Sequence, residues 1–290
     1  MATFYNQATL SYNGTVTSSN ITAGEIVEVL SADKYAVIPT YSTESDLVFI
    51  ISIVNTGSTA VDNITVTDNL GSYTFEPTGG ELVPLTYNEG SVSYYINGVQ
   101  QSAPTVTAQS PLTISGLTVP AGGNALIVYS AKTNRFSPLG TGGSITNTAV
   151  ISGADTTARV FEDITVTETV TAASAVDLAI TKSLSPAEVE ENGEVTYTFV
   201  IQNYGSVPVT ADDDVIFSDT FTPALSSLTA VYNDTPWASG TNYNYSETTG
   251  LFTSLTGQIT VPEAQFTQNE TTGEWSVQPG ISTLTIKGNI

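Results

Sequence analysis

The chain has 290 residues, enough for two domains of ordinary size, and a 40% hydrophobic content permits real cores. It holds no cysteine and no histidine, which removes disulfides, thiolate nucleophiles, histidine acid/base catalysis and the usual zinc or copper sites, so neither an enzyme nor a cofactor is expected. A formal net charge of -22 with only 6 Lys plus Arg sets the surface against phosphate backbones and anionic membranes, and no nucleic-acid partner is expected.

At the N-terminus, Met1-Ala2-Thr3-Phe4 has neither the basic start nor the apolar run of a secretory signal, and no stretch long enough to cross a membrane follows. The first element is a strand, Phe4-Tyr5-Asn6-Gln7-Ala8-Thr9-Leu10-Ser11. It matches Ile145-Thr146-Asn147-Thr148-Ala149-Val150-Ile151-Ser152 at a constant offset of 141, with Asn, Ala and Ser identical. Thereafter Thr, Val, Ile, Tyr and Ser dominate short alternating runs separated by Gly, Asn, Asp and Pro, which is strand and turn chemistry, and no helix of any length is expected. Lys34, Asn55 and Gly57 return as Lys182, Asn203 and Gly205 at an offset of 148, and Asp68 returns as Asp219 at 151, with the extra residues absorbed near Asp212-Asp213-Asp214. Leu117, Val119, Gly122, Leu126 and Val128 align with Trp275, Val277, Gly280, Leu284 and Ile286 at 158, which sets Ile290 where Lys132 stands. On that register the second repeat is short by one closing strand, while the N-terminus carries a spare one.

Repeated short strands in units of this size predict antiparallel β-sandwiches, because a single sheet cannot bury its apolar face alone. The motifs Val176-Asp177-Leu178-Ala179-Ile180-Thr181-Lys182, Val195-Thr196-Tyr197-Thr198-Phe199, Asn203-Tyr204-Gly205 and Ser218-Asp219 resemble the bacterial surface repeat called domain of unknown function 11. The first copy is more degenerate at Ser31-Ala32-Asp33-Lys34 but keeps Val54-Asn55-Thr56-Gly57 and Val66-Thr67-Asp68. That resemblance implies Ig-like sandwiches in tandem on secreted and cell-wall proteins. The expected organisation is an all-β chain: a donor arm over residues 1–14, an Ig-like domain over 15–175 closed by 144–152, and an incomplete Ig-like domain over 176–290.

Alternate residues of a strand share a sheet face. One face of the first strand reads Phe4, Asn6, Ala8, Leu10, Tyr12, and the matching internal face reads Ile145, Asn147, Ala149, Ile151. Lys34 and Lys182 sit likewise among Leu30, Ala32, Ala36 and Leu178, Ile180, Leu184. Asp68 and Asp219 sit among Ile64, Val66, Leu70 and Val215, Phe217, Phe221. Each repeat therefore aims a Lys, an Asp and an Asn at a core, and burying them apart would cost several kcal/mol. The constellation resembles the self-forming Lys-Asn isopeptide crosslinks of Gram-positive pilin and adhesin sandwiches. Burial favours the neutral amine that attacks and the protonated carboxyl that polarises the amide. The expectation is a bond from Lys34 to Asn147 handled by Asp68, and one from Lys182 to Asn6 of another copy handled by Asp219. A buried ion pair with the Asn hydrogen-bonded beside it is the noncovalent alternative.

Other signals are weaker. The Asp212-Asp213-Asp214 run offers carboxylates for calcium but lacks the alternating spacing and Gly of a calcium loop. Gly140-Thr141-Gly142-Gly143-Ser144 reads as a connection rather than a phosphate cradle. Tyr94-Tyr95, Trp237, Tyr243 and Tyr245 suggest either a sugar-binding surface or cross-strand packing. The expected role is a structural subunit of an extracellular filament on a cell or spore surface. Its expected partner is a further copy of itself, Phe4, Ala8, Leu10 and Tyr12 of one copy plugging the second domain of the next, with an unidentified surface ligand as a second candidate partner. The rival is a surface adhesin or stalk whose loops bind a host or cell-wall ligand.

Overall fold

The computed structural model describes residues 2–26, 29–155 and 161–290, and these are β-strands, turns and one 3-10 turn at Ala211–Asp213. Alternation dictates the layers. In Asp46–Asn55 the residues Leu47, Phe49, Ile51 and Ile53 are all buried while their neighbours are not, as a half-buried strand requires. Strands are labelled here as far as the first domain's Asp: β1 Ala2–Asn6, β2 Thr9–Tyr12, β3 Thr15–Ser18, β4 Thr22–Ile26, β5 Leu30–Ala36, β6 Thr40–Tyr41, β7 Asp46–Asn55 and β8 Val61–Asp68.

Two six-stranded sheets form the first domain. One contains β5, β7, Asn124–Thr133 and Ser93–Ile96; the other contains Leu112–Val119, β8, Ser144–Asp155, Ile164–Ala172 and β6. Apolar faces of both sheets meet in one core that includes Phe49, Ile51, Ile64, Val66, Ile114, Ile127, Tyr129, Ala149 and Val170. Ser144–Asp155 is inserted between β8 and Ile164–Ala172, so it is a central strand, and its inward residues have no contact with water.

The second domain has a five-stranded sheet built on Leu178–Ser185, Glu194–Asn203, Gly280–Asn289 and Ser226–Tyr232, facing Ser218–Thr220, Leu251–Ser254 and Tyr243–Tyr245. Its own core gathers Phe199, Phe217, Phe221, Phe252, Leu284 and Ile286. Asn55 and Asn203 do the same work in both domains. Each accepts from a glycine N–H two residues on, Gly57 and Gly205, and donates through Nδ2 to two carbonyls. The repeated Asn-x-Gly is thus a turn lock, satisfying buried backbone groups.

Three sequence-derived boundaries change. First, pairing sets Asn55 against the Gly123 carbonyl and Asn203 against Gly280, so Gly280–Asn289 aligns one residue away from the expected register. Ala125, Ile127 and Tyr129 correspond to Ser282, Leu284 and Ile286, all buried, and Ile290 corresponds to Thr133 rather than Lys132. A slip of one residue exchanges sheet faces. The true counterpart of Thr118-Val119-Pro120 is Thr260-Val261-Pro262: Tyr94 and Tyr232 each bond both backbone groups of the respective threonine. The Trp275 region belongs instead to an inserted hairpin, Gln265–Gln268 with Trp275–Gln278, which docks on the first domain. There Gln268 donates to Tyr73 (3.1 Å), Trp275 N–H donates to the Arg135 carbonyl (2.8 Å), and Arg135 meets Glu274 (3.1 Å).

Second, two strands rather than one flank the first domain's Asp edge without counterparts in the second. β8 is covered by Ser144–Asp155 and then Ile164–Ala172, whereas Ser218–Thr220 pairs only with Leu251–Ser254 among the described residues. Third, the arm is a hairpin. β1 pairs with β4 and β2 with β3, so residues 15–18 and 22–26, expected within the first domain, belong with the N-terminal strand. Asn13 (φ 47°) and Gly14 (φ 80°) make its two-residue turn, both in the left-handed region that matches strand twist. One extra residue on the returning strand bulges near Ser19, whose Oγ accepts from the Ala8 N–H.

Candidate functional site

In the first domain the three expected residues meet. β5 brings Lys34 inward and the C-terminal end of β8 brings Asp68, and Lys34 Nζ donates to Asp68 Oδ2 at 2.6 Å with both side chains fully removed from solvent. Asn147 enters from the closing strand, and it too is fully buried. Tyr129, a residue the sequence reading does not single out, links them: its hydroxyl donates to Asp68 Oδ2 at 2.6 Å and accepts from Asn147 Nδ2 at 3.0 Å. The other Asp68 oxygen accepts from the Leu70 N–H at 2.9 Å. Asn147 Oδ1 is buried with no partner, an arrangement that ordinarily costs about 1–3 kcal/mol.

Electrostatics follow from the burial. Removal from water pushes the Lys34 ammonium below its ordinary range, opposed by the attraction of Asp68 and, further off, Glu168. Burial first, and Asp68 second, push the Tyr129 phenol well above its ordinary value, so it remains a proton carrier. The Phe49 ring lies 5.2 Å from Lys34 Nζ and stacks on Tyr129, holding both groups in an apolar wall.

The second domain repeats the pair but not its enclosure. Lys182 Nζ meets Asp219 Oδ2 at the same 2.6 Å, yet the side chains remain 43% and 20% exposed. Tyr197, Phe199 and Phe221 present ring centroids 4.8, 5.3 and 5.4 Å from Nζ, a half-cage around the amine, and Ser218–Thr220 has Leu251–Ser254 as its one strand partner among the described residues. Every residue of Leu178–Ser185 is exposed, including Leu178, Ile180 and Leu184, which sequence alternation places inward. Where the first domain has Tyr129 opposite Phe49, this domain has Ile286 opposite Tyr197.

Asn6 does not join that pair within the chain. It lies exposed on β1, opposite Thr22, whose hydroxyl bonds the Asn6 carbonyl. Phe4, Ala8, Leu10 and Tyr12 are exposed as well; the Phe4 ring lies over Gly24, where any Cβ would collide with it. The remaining expectations resolve simply. Asp213 accepts from the Thr210 N–H and hydroxyl, so it caps the 3-10 turn, and Asp214 takes a left-handed conformation beside it. Asp212 lies exposed in the same turn, and no group of three metal-binding side chains occurs among the described residues. Tyr94 and Tyr243 are buried, and Trp237 stacks on Tyr232, so these aromatics pack between strands.

No family model matches the chain, and no curated protein matches it in sequence; the likeness to domain of unknown function 11 rests on its short motifs. Similar solved structures include BcpA, the major pilin subunit of Bacillus cereus, at 12% identity and a TM-score of 0.37, covering 97% of this chain and 73% of that one. A C-terminal fragment of the major pilin of Streptococcus agalactiae aligns at 13% identity and TM-score 0.36, over 79% of each chain. The collagen adhesin of S. aureus aligns at 12% and 0.32, over 54% of this chain and 55% of its own.

Proposed function

We propose that the chain is the subunit of an extracellular fibre, joined head to tail by insertion of its N-terminal hairpin into the second domain of the next copy. The observation that carries this reading is the pair of complementary exposures. Lys182 and Asp219 stand in an open half-cage beside a strand edge that no described strand fills, and the hairpin displays an exposed Asn and apolar side chains in the order found on Ser144–Asp155. In the first domain that edge is filled by two paired strands, with Asn147 opposite Glu168; in the hairpin Asn6 stands opposite Thr22. The hairpin can therefore replace both strands at once, β1 and β2 beside Ser218–Thr220 and the returning strand over Leu178–Ser185. Burying Phe4, Leu10 and Tyr12 would stabilise the joint by about 1.5–3 kcal/mol for each large side chain.

Closure within one chain is opposed by geometry. Only positions 27–29 separate the hairpin from β5, a reach of about 11 Å at full extension, and Val29 is already bonded to Thr56. That is the pole of the first domain where Leu30 pairs with Asn55, whereas the second domain departs from Ala172 and Ala173 in the facing sheet, beside Tyr41, which follows the far end of β5. Donor and acceptor at opposite poles generate an open polymer.

On this reading Lys34 joins Asn147 within each subunit and Lys182 joins Asn6 of its neighbour, each bond expelling ammonia and lowering the mass by about 17 Da. Negative-stain imaging of purified protein should show filaments, and boiling in denaturant should leave a ladder of multimers. A variant lacking residues 2–26, mixed with a synthetic 2–26 peptide, should give a covalent adduct mapped to Asn6 and Lys182. Filaments that boil to monomer would remove the joint crosslink and leave insertion standing. Absence of filaments together with a peptide that fails to bind would defeat the proposal.

A further inference from the structure

We infer that Tyr129 is a catalytic residue of the bond-forming step in the first domain, relaying a proton from Asp68 to the departing nitrogen of Asn147. The inference rests on the Lys34–Asn147 crosslink proposed above and adds a third reacting group to it. Three observations carry it. Among the described residues the phenol is the one hydrogen-bonded link between the carboxylate and the amide, touching Asp68 Oδ2 and Asn147 Nδ2 at once. It contacts the nitrogen that must leave, while the carbonyl oxygen has no partner. It is fully buried and its phenol is held well above its ordinary titration range, so its proton stays in place until transferred.

The Lys34 ammonium gives one proton to the Asp68 carboxylate, and the freed Nζ lone pair attacks Asn147 Cγ, forming the Nζ–Cγ bond and turning the carbonyl into an oxyanion. Tyr129 passes its phenolic proton to Nδ2 and takes the Asp68 proton in return. The carbonyl re-forms, the Cγ–Nδ2 bond breaks, and ammonia departs. Asp68, again a carboxylate, removes the surplus proton from Nζ and finishes protonated beside a neutral amide. Protonated in this way, Nδ2 leaves as ammonia rather than as an amide anion, a far poorer leaving group. Because Ile286 occupies the matching place in the second domain, this relay belongs to the first domain, and the joint between copies serves as an internal control.

The test follows the Lys34–Asn147 branched peptide by mass spectrometry through a time course of cell-free synthesis of the full chain. Tyr129→Phe should slow its appearance by about 100-fold or more, the usual worth of positioned proton transfer, and should leave the Asn6–Lys182 linkage rate unchanged. Substituting 3,5-difluorotyrosine at position 129, which keeps the shape and acidifies the phenol, should change the rate measurably, where a spacer role would not. Equal rates for wild type and Tyr129→Phe would overturn the relay while leaving the crosslink. A slow Phe variant with an unchanged fluorinated one would also overturn it, reducing Tyr129 to packing. No branched peptide in wild type would instead remove the crosslink reading itself, and this inference with it.

Discussion

Lys34 and Lys182 hold their aspartates at the same 2.6 Å, yet one pair is fully enclosed and the other stands open to water. The two lysines lie on equivalent strands with equivalent sheet neighbours, and Phe49 and Tyr197 pack against them at matching positions. What differs is the cover: Ser144–Asp155 and Ile164–Ala172 seal the first pair, and no described strand seals the second. The same ion pair therefore has different energetic standing in the two places. Enclosure makes a charge depend on its partner, while exposure lets water stand in.

The largest expected effect comes from taking away the cover that the open site is proposed to receive. Deleting residues 2–26 should abolish filaments in negative-stain images while both domains keep their β-rich circular dichroism, since the side chains described in the hairpin, residues 4–24, belong to neither core. Next in size is the enclosed pair. Asp68→Ala strands Lys34 in an apolar wall and should destabilise the first domain by about 3–5 kcal/mol in denaturant unfolding, besides leaving the mass of that domain unreduced. Leu10→Asp places a carboxylate in the proposed joint and should weaken hairpin-peptide binding to the second domain by several kcal/mol in calorimetry; unchanged affinity would show that Leu10 does not enter a pocket. The smallest effect sharpens the contrast most. Lys182→Ala in the hairpin-deleted monomer should cost no more than about 1 kcal/mol, because an exposed pair is screened. A loss as large as that of Asp68→Ala would mean that the two sites are not energetically distinct.

The repeat was readable from spacing, and so were Lys34, Asp68 and Asn147 as residues that share one interior, because alternation shows which side chains face a core and polar groups there must meet. The hairpin has a sequence signal of its own, since Asn13-Gly14 between two alternating runs is a strong two-residue turn, but the match of the first strand to residues 145–152 ends before it and points to a single strand. Thr260-Val261-Pro262 likewise repeats Thr118-Val119-Pro120 in plain view, but the inserted Gln265–Gln278 hairpin displaced the register that follows it. Tyr129 had no such signal. It sits on a strand whose buried positions read as ordinary core, and only the packing of the facing sheet brings its hydroxyl between Asp68 and Asn147.

The strand-and-turn architecture, the two repeats and the inward Lys34, Asp68 and Asn147 of the first domain follow from local preference and from a period of two along each strand. Which ion pair is enclosed, that the arm returns on itself as a hairpin, and which hydroxyl stands between carboxylate and amide are settled by packing alone. Those properties arise between strands far apart in the chain, where the position of one sheet over another sets both distance and exposure to water.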